Sequence, residues 1–215
     1  GCEADAVLAS RWSSGTDLTS VGPGLPLTRG IRDRVAAACR PSGGPQRAAA
    51  AIESSKAFAK EFFSRHRVPT ARYVLAETPE AALRVLSRGE FDYPVVIKAD
   101  GLAAGKGVVV AVDERQATAA VQSMMVDRAF GPAGERIVIE ECLRGREASF
   151  FVLTDGTAIV PLHSAEDHKR VFDGDAGPNT GGMGAFSPSP LFDAELGRRV
   201  LDTIVRPVVD GLRHE

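Results

Sequence analysis

The stretch 93–111 constrains the fold more than any other part of the chain, because it is typical of two strands joined by a glycine loop. Residues 95–97 and 108–110 are β-branched runs, which favour strands. Three glycines lie in the loop between them: Gly101, Gly105 and Gly107. Glycine permits positive φ and lets a ligand approach the backbone closely. The pattern therefore predicts a hairpin whose loop holds a ligand.

Two lysines, Lys98 and Lys106, add positive charge to the same hairpin. Consecutive backbone N–H groups and lysine side chains together favour a polyphosphate ligand. The spacing is not that of a P-loop, which needs G-x-x-x-x-G-K-[ST] before a helix. Asp100 stands where the first glycine would be, Gly107 replaces the Ser or Thr, and a strand-like run follows. A glycine-rich hairpin that binds nothing remains the alternative at this point.

The composition of the chain indicates which classes of binding partner are favoured. The chain has 215 residues, of which 44% are hydrophobic and 25% charged, and its net charge is −2. This near-balance favours neither a nucleic-acid surface nor a polybasic membrane patch. No uninterrupted apolar run approaches the roughly 18 residues of a membrane span. The three cysteines, Cys2, Cys39 and Cys142, are widely spaced, which favours reduced thiols in the cytoplasm.

Helical and strand-like segments are mixed along the chain, which predicts an α+β fold with antiparallel hairpins. The predicted helices span 48–66, 79–87, 113–125 and 193–214. Within the first of these, Ser54 or Ser55 is predicted to cap a helical segment. The predicted strands, besides those of the hairpin, span 73–75, 136–140, 148–153 and 158–160. Residues 163–190 are rich in polar groups and glycine, and they are predicted to form a long functional loop. The segment 40–45 is rich in proline and glycine and is the best candidate for a domain boundary.

Acidic residues cluster where the predicted strand 136–140 ends. Residues 140–143 read Glu-Glu-Cys-Leu, and Glu147 follows four residues later. A strand that runs out into a linker offers backbone N–H and C=O groups to a flat base, and a nearby carboxylate accepts hydrogen bonds from ribose hydroxyls. Acidic residues beside a turn are more often simply solvated, so this alternative stays open.

Five ionisable residues in the run 165–170 lead directly into a segment with five glycines among residues 174–184. Such a loop is typical of backbone groups that wrap a small anionic or zwitterionic ligand. His168 is more readily a structural or substrate-contacting residue than a metal ligand, because no second histidine lies near it in sequence. Lysine, glycine and carboxylate are together typical of phosphoryl transfer.

Four segments, taken in order, resemble the phosphoribosylamine–glycine ligase (glycinamide ribonucleotide synthetase) family: 55–60, 96–108, 139–141 and 167–185. The run Gly-Pro-Asn-Thr-Gly-Gly-Met-Gly at 177–184 is highly particular to that family. The resemblance implies a partial ATP-grasp fold that follows the remnant of an α/β N-terminal domain. It divides the chain into three parts: 1–51 as remnant and linker, 52–72 with 144–215 as part of the central domain, and 73–143 as the lid subdomain.

The resemblance also implies a reaction of de novo purine biosynthesis. ATP phosphorylates the carboxylate of glycine, and the amine of 5-phosphoribosylamine attacks the acyl phosphate to give glycinamide ribonucleotide, ADP and phosphate. The implied cofactors are ATP and Mg²⁺ or Mn²⁺, and the implied partners are these small molecules rather than nucleic acid or membrane. The family pattern allows a parent protein that is fused to other purine-pathway domains.

The resemblance assigns roles residue by residue. The implied nucleotide-binding residues are Lys56, Lys98, Gly101, Gly105, Lys106, Gly107, Glu140, Glu141, Leu143 and Glu147. Among these, the two lysines at 56 and 98 are assigned to the phosphates, residues 101–107 to a lid, residues 140–143 to the adenine, and Glu147 to the ribose. The implied substrate-binding residues are Asp167, His168, Lys169, Asn179, Thr180, Gly181 and Gly182. The implied catalytic residues are Lys98, Asp167 and Lys169.

The chain departs from the family pattern at several points. The early Gly-Gly-Arg-Glu-His-Ala-type loop is absent, the usual Gly-Pro-Glu ends in Gly24, and Glu166 replaces the usual Gln. The E-x-N-x-R-x-G-D-P-E motif that holds the metal in the family is also absent, so no metal ligand is predicted and the 215-residue chain alone is predicted to be inactive. The alternatives are a truncated, non-catalytic nucleotide-binding protein and another ATP-grasp carboxylate–amine ligase, such as carboxyaminoimidazole ribonucleotide synthetase.

Overall fold

The computed structural model describes residues 17–22, 24–38, 41–103, 107–174 and 176–215. It combines helices with short, mostly antiparallel sheets, which confirms the predicted α+β class. In these ranges no helix is both long and apolar enough to cross a membrane.

The chain divides into two compact units. The first comprises the described residues of Gly1–Phe62 and Thr70–Cys142, and the second comprises Phe63–Pro69 and Leu143–Glu215. The predicted assignment of residues to an N-terminal remnant, a central domain and a lid subdomain is not tested by this division and stays a prediction.

The first unit begins with a small α/β segment. Its elements are β1 (Thr19–Ser20), α1 (Leu25–Thr28), α2 (Ile31–Ala37) and β2 (Ser42–Gly43). Strands β1 and β2 pair in parallel. The side chains of Leu27, Ile31 and Ala50 are buried together, with Val21 packed against them.

The helical region predicted over 48–66 is two helices, α3 (Arg47–Ser54) and α4 (Lys56–Arg65), and the cap predicted at Ser54 or Ser55 is confirmed at Ser55. Ser55 is extended, with φ −133° and ψ 115°. Its Oγ accepts a hydrogen bond from the Phe58 N–H at 3.0 Å, which caps α4. A serine that can bond the backbone two or three residues on favours a helix start over a helix interior. The break makes Lys56 the first residue of α4.

A four-stranded antiparallel sheet forms the rest of the first unit. Its elements in chain order are β3 (Tyr73–Ala76), α5 (Pro79–Ser87), β4 (Val95–Ala99), β5 (Val108–Ala111), α6 (Glu114–Val121) and β6 (Ile137–Glu141). The strand order is β3–β6–β4–β5, which places the predicted hairpin at one edge. Thr78 and Asp113 cap α5 and α6 with their side chains, and α6 continues into a π-helical turn at Gln122–Val126.

Alternation along the strands gives the sheet two different faces. Val95, Ile97 and Ala99 of β4 pack into an apolar core with residues of β6 and the helices α5 and α6. Burial of each such Val or Ile side chain contributes about 1.5–3 kcal/mol. Val96 and Lys98 point to the opposite face. This second face carries the charged groups described below.

The second unit is built from short strands and a long C-terminal helix. Its strands are β7 (Val152–Thr154), β8 (Ile159–Pro161), β9 (Glu166–Asp167), β10 (Arg170–Phe172), β11 (Ala176–Asn179) and β12 (Ala185–Phe186). Its helices are α7 (Ala194–Val200) and α8 (Arg206–His214), which join through the π-helical turn Leu201–Val205.

Two predictions for this unit need correction. The strand predicted over 148–153 begins only at Val152, and within the predicted range before it Ser149 makes an isolated bridge to Ala165. The predicted long loop 163–190 contains paired strands: β9 pairs with β12, and β10 with β11. Pairing satisfies backbone groups that a long irregular loop would leave to solvent.

Candidate functional site

A lysine–carboxylate cluster lies on the second face of the sheet. Val96 pairs with Glu140 and Lys98 pairs with Val138, so the Lys98 and Glu140 side chains are diagonal neighbours on one face. Glu140 Oε1 forms an ion pair with Lys98, and Oε2 lies 2.6 Å from Lys60 Nζ. One carboxylate thus lies between two ammonium groups, and the cluster carries a net positive charge.

The two lysines of this cluster differ in exposure. Lys60 is only 8% exposed, and Nζ also donates hydrogen bonds to Thr70 Oγ1 at 2.7 Å and to Ala71 O at 3.1 Å. The side chain of Lys98 is 29% exposed. Lys60 is therefore a structural counter-ion, and Lys98 is the member of the cluster that a ligand can reach.

The contribution of Lys60 was not predicted from the sequence, although a signal was available. Lys60 follows Lys56 by four residues in α4, so the two lysines lie near one face of the helix. A buried lysine without a carboxylate partner is very unfavourable. In the structure that partner is Glu140.

Lys56 lies at the N-terminus of α4, where Nζ donates a hydrogen bond to the carbonyl of Gly101 at 3.0 Å. Burial is the main cause that lowers the pKa of Lys56 below its ordinary value. Asp100 opposes this shift of the pKa, and the positive charge of Lys98 adds to it. Lys56 and Lys98 therefore belong to one electrostatic group at the end of β4.

The glycines of the hairpin loop have a different role from the predicted one. Gly101 and Gly107 do not have positive φ, so the prediction that they are needed for that conformation is wrong. An added Cβ would lie 2.8 Å from Ala133 Cβ at Gly101 and 2.7 Å from Ala103 Cβ at Gly107. Close packing is what requires glycine at both positions. The predictions for Gly105 and Lys106 fall outside the described residues.

Glu141 ends β6 in a double contact with Arg72. Its Oε2 accepts from Arg72 Nε at 2.9 Å and its Oε1 accepts from the Arg72 N–H at 2.8 Å. These hydrogen bonds, from the backbone first and the side chain second, lower the pKa of Glu141. Leu143 follows with an exposed side chain. Glu141 supports the strand end, while the predicted adenine contacts of residues 140–143 stay a prediction.

The second unit holds another lysine–carboxylate group. Lys169 Nζ lies 3.1 Å from Glu147 Oε2 and 3.8 Å from Asp167 Oδ1. The hydrogen bond from Lys169 to Glu147 is the main cause that raises the pKa of Lys169. All three side chains are exposed, with Glu147 at 78%. The predicted ribose carboxylate and two predicted catalytic residues therefore meet in this unit.

The glycine-rich segment is attached to the same group. The carbonyl of Lys169 accepts hydrogen bonds from Thr180 N–H at 2.7 Å and Thr180 Oγ1 at 3.0 Å. Gly182 N–H donates to Thr180 Oγ1 at 3.0 Å, and His168 N–H donates to Gly184 O at 2.9 Å. The His168 ring lies 5.9 Å from the ring of Phe186. The side chain of Asn179 falls outside the described part of the chain.

Glu166, which replaces the family's Gln, has two polar partners. Arg146 NH2 donates to its carboxylate at 3.0 Å and Ser189 Oγ donates at 2.7 Å. The Ser189 hydrogen bond is the main cause that lowers the pKa of Glu166, and Arg146 acts in the same direction. Arg146 therefore compensates the charge that Glu166 adds. Within the described ranges, no group of three or more His, Cys, Asp or Glu side chains is arranged to hold a metal ion.

A comparison with known families shows which family the chain belongs to. Residues 54–215 match the family model described as phosphoribosylglycinamide synthetase, ATP-grasp (A) domain. The chain belongs to this family. It is 50% identical over 208 residues to a phosphoribosylamine–glycine ligase of Pseudomonas aeruginosa, covering 97% of this chain and 48% of the relative. The chain spans about half the length of the curated relatives it matches.

Solved structures confirm the ATP-grasp fold for this member of the phosphoribosylglycinamide synthetase family. A crystal structure of phosphoribosylamine–glycine ligase from Thermotoga maritima aligns with a TM-score of 0.73 and 34% identity, covering 80% of this chain and 43% of that one. A biotin carboxylase from Campylobacter jejuni aligns with a TM-score of 0.75 over 98% of this chain and 46% of that one. The second likeness, at 19% identity, shows the fold alone.

Proposed function

We propose that this chain is part of an ATP-dependent ligase that joins glycine to 5-phosphoribosylamine, and that it works in the cytoplasm. The observation that carries the proposal is the partly exposed Lys98 beside Lys56 on the open face of the sheet, in a chain of the phosphoribosylglycinamide synthetase family. Two positive side chains at the end of one strand are suited to the phosphates of a nucleotide.

The second face of the sheet also fits the rest of a nucleotide. Val96, Val108 and Val110 share that face with Lys98, by the register of β4 with β5. Val108 and Val110 are exposed, which is suitable for the flat apolar surface of an adenine ring. We infer that the base lies against these valines and that residues 140–143 bind its polar edge.

Lys60 explains how Lys98 is able to serve a ligand. When Lys98 turns from Glu140 to a phosphate, Glu140 keeps the ion pair with Lys60 at 2.6 Å. Without Lys60 the same movement would leave a buried carboxylate without a counter-charge, which is strongly unfavourable. The cluster is thus prepared for an anion before the anion arrives.

In the second unit we assign Asp167, His168, Lys169 and residues 179–182 to the substrates, and Glu147 to the ribose. Asp167 and Glu147 are carboxylates that suit the ammonium group of glycine or a ribose hydroxyl, and Lys169 suits a carboxylate or phosphate. The side chains of Asp167, Glu147 and Lys169 are exposed to solvent. Ligand binding is expected to rearrange the exposed Lys169–Glu147 pair.

The proposed chemistry has two steps. A carboxylate oxygen of glycine attacks the γ-phosphorus of ATP, and ADP leaves. The amine of 5-phosphoribosylamine then attacks the acyl carbon, the C–O bond to phosphate breaks, and the nitrogen loses a proton. Lys56 and Lys98 stabilise the charge on the phosphoryl oxygens during the transfer. A divalent metal, which members of the fold family use, supplies further neutralisation when it is bound.

The test uses the complete gene product that contains these 215 residues. It should form glycinamide ribonucleotide and ADP only when ATP, glycine and 5-phosphoribosylamine are all present. Lys98→Met should lower kcat/KM by about 100-fold or more, as expected for a lost charge contact in phosphoryl transfer. Arg84→Met, an exposed change on α5, is the matched control and should leave the rate unchanged. Equal rates for Lys98→Met and wild type, or ADP formation that another amino acid supports better than glycine, would contradict the proposal.

A further inference from the structure

Asp100 makes more hydrogen bonds than its position in a glycine loop predicts. Its Oδ1 accepts from Ser55 Oγ at 2.9 Å and from the Ala57 N–H at 2.7 Å. Its Oδ2 accepts from Arg136 Nε at 3.0 Å and from Arg136 NH2 at 2.7 Å. Four donors therefore surround one carboxylate whose side chain is only 14% exposed.

The donors on one side of Asp100 are the two neighbours of Lys56. The backbone adds a direct link, because Lys56 N–H donates to Asp100 O at 3.0 Å. Lys56 Nζ then reaches the next carbonyl, that of Gly101, at 3.0 Å. The start of α4 is therefore attached to the end of β4 both through the backbone of Lys56 and through the residues on either side of it.

The other side of Asp100 is attached to the residue before β6. Asp100 N–H donates to Arg136 O at 3.0 Å, in addition to the side-chain contacts between the two residues. Burial alone would raise the pKa of Asp100, but the hydrogen bonds from Ala57, Arg136 and Ser55 outweigh it and lower the pKa. A negative charge at the N-terminus of α4 is also favourable for the helix dipole.

These contacts give Asp100 a role that differs from base or metal ligand, because its acceptor capacity is used by protein donors. We propose that Asp100 is a positioning residue, which holds Lys56 in register with Lys98 so that both lysines bind the same polyphosphate. Lys98 lies on β4 and Asp100 directly follows that strand, so the same strand end sets the place of both lysines. The inference rests on the proposed function, in which Lys56 contacts the phosphates.

The test is a double-mutant cycle on ATP affinity, measured by calorimetry on the complete gene product. The four proteins are wild type, Asp100→Ala, Lys56→Met and the double variant. Asp100→Ala should weaken ATP binding between about 10-fold and 100-fold, as expected when a binding group is misplaced by an ångström. In the Lys56→Met background the same change should weaken binding by less than about threefold, because the group that Asp100 positions is already absent. Full additivity, or an unchanged affinity for Asp100→Ala, would overturn the inference.

A second aspartate provides a matched control. Asp113 caps α6 in the same unit and accepts from Gln116 N–H at 2.7 Å, without the link to Lys56. Asp113→Ala should lower the melting temperature but leave the ATP affinity unchanged, whereas equal losses of affinity for both aspartates would overturn the inference. If Asp100→Ala does not fold, Asp100→Asn, which keeps the shape and loses the charge, is measured in the same cycle with the same criteria.

The cycle also separates this inference from the proposed function. If Lys56→Met leaves ATP binding unchanged, the assignment of Lys56 to the phosphates is wrong, and the role of Asp100 falls with it. If Lys56→Met weakens binding while Asp100→Ala does not, only the role of Asp100 is wrong.

Discussion

The two units use the same residue types in opposite surroundings. In the first, Glu140 is 4% exposed and lies between Lys60 and Lys98. In the second, Glu147 and Asp167 face Lys169 in positions open to water. Charges that are buried must be paired before any ligand binds, whereas exposed charges are solvated with or without a partner. The first group is therefore already paired, as the proposed anion site requires, and the second is free to rearrange.

The glycines of the two units also differ in how closely other atoms surround them. Gly101 and Gly107 in the first unit have alanine side chains so close that a methyl group does not fit. Gly181 and Gly182 in the second unit would place an added Cβ with no described atom within 4 Å. In the first unit glycine allows tight packing, and in the second it leaves open space beside the backbone.

The largest loss of stability is expected from Lys60→Met. The change leaves the buried Glu140 with Lys98 as its remaining counter-ion, and it should lower the free energy of unfolding by about 3 kcal/mol. It should also weaken ATP binding, because Lys98 is then held by Glu140. Urea denaturation and calorimetry measure the two effects. Adding Glu140→Gln should recover part of the stability, and a loss below about 1 kcal/mol would show that the buried cluster is less coupled than its geometry indicates.

The next largest loss of stability is expected from Gly101→Ala. The new Cβ would lie 2.8 Å from Ala133 Cβ, so the loop must shift, at about 1–3 kcal/mol of stability. Gly181→Ala in the second unit is the matched change, and it should alter stability by less than about 0.5 kcal/mol. Thermal unfolding of the two variants measures the difference. Similar melting temperatures for both would remove the distinction between a packed and an open glycine loop.

Stability should respond to pH in opposite directions in the two units. The contribution of Asp100 is lost in acid, and that of Lys169 is lost in alkali. Asp100 has a lowered pKa, so its contribution to stability is present above the ordinary value of 3.8 and is lost as the pH falls through the folded-state pKa. Lys169 has a raised pKa, so its contribution is present below the ordinary value of 10.5 and is lost as the pH rises through the folded-state pKa. Asp100→Asn should therefore reduce the loss of stability as the pH falls. Lys169→Met should reduce the loss of stability as the pH rises, which is the smaller of the two losses. Unchanged pH profiles for these variants would contradict the two assignments.

The smallest change in stability is expected from Lys169→Met. The pair with Glu147 is exposed, and exposed ion pairs contribute about 0–1 kcal/mol. The same variant should nevertheless raise KM or lower kcat in the ligase assay, because Lys169 is assigned to the substrates. Steady-state kinetics and thermal unfolding of one preparation measure both. A variant with lower stability and unchanged kinetics would make Lys169 a structural residue.

The sequence predicted the strands of the hairpin well, because β-branched runs such as 108–110 favour strands wherever they lie. It offered Ser54 and Ser55 as caps of a helical segment, and Ser55 does cap α4, but it did not divide 48–66 into two helices. It also missed Asp100 as a centre of contacts. Its partners Ser55 and Arg136 lie 45 and 36 residues away, and only the folded sheet brings them together.

The site was predicted as separate residues rather than as groups. Lys98 and Glu140 received roles from a family resemblance, but their ion pair follows from the register of β4 with β6, which a single sequence does not reveal. Lys60 has no ligand role in that resemblance, yet it holds Glu140 in place. The glycine pattern was recognised, and its cause was steric at Gly101 rather than conformational.

In the proposed function, glycine is activated as an acyl phosphate before the amine attacks, and the transfer of oxygen from glycine to phosphate tests this step. The complete gene product is incubated with ATP, 5-phosphoribosylamine and glycine labelled with ¹⁸O in both carboxylate oxygens, and the phosphate is analysed by mass spectrometry. Each phosphate released should carry one ¹⁸O atom, and each amide formed should carry one. Phosphate without label, formed alongside glycinamide ribonucleotide, would contradict it.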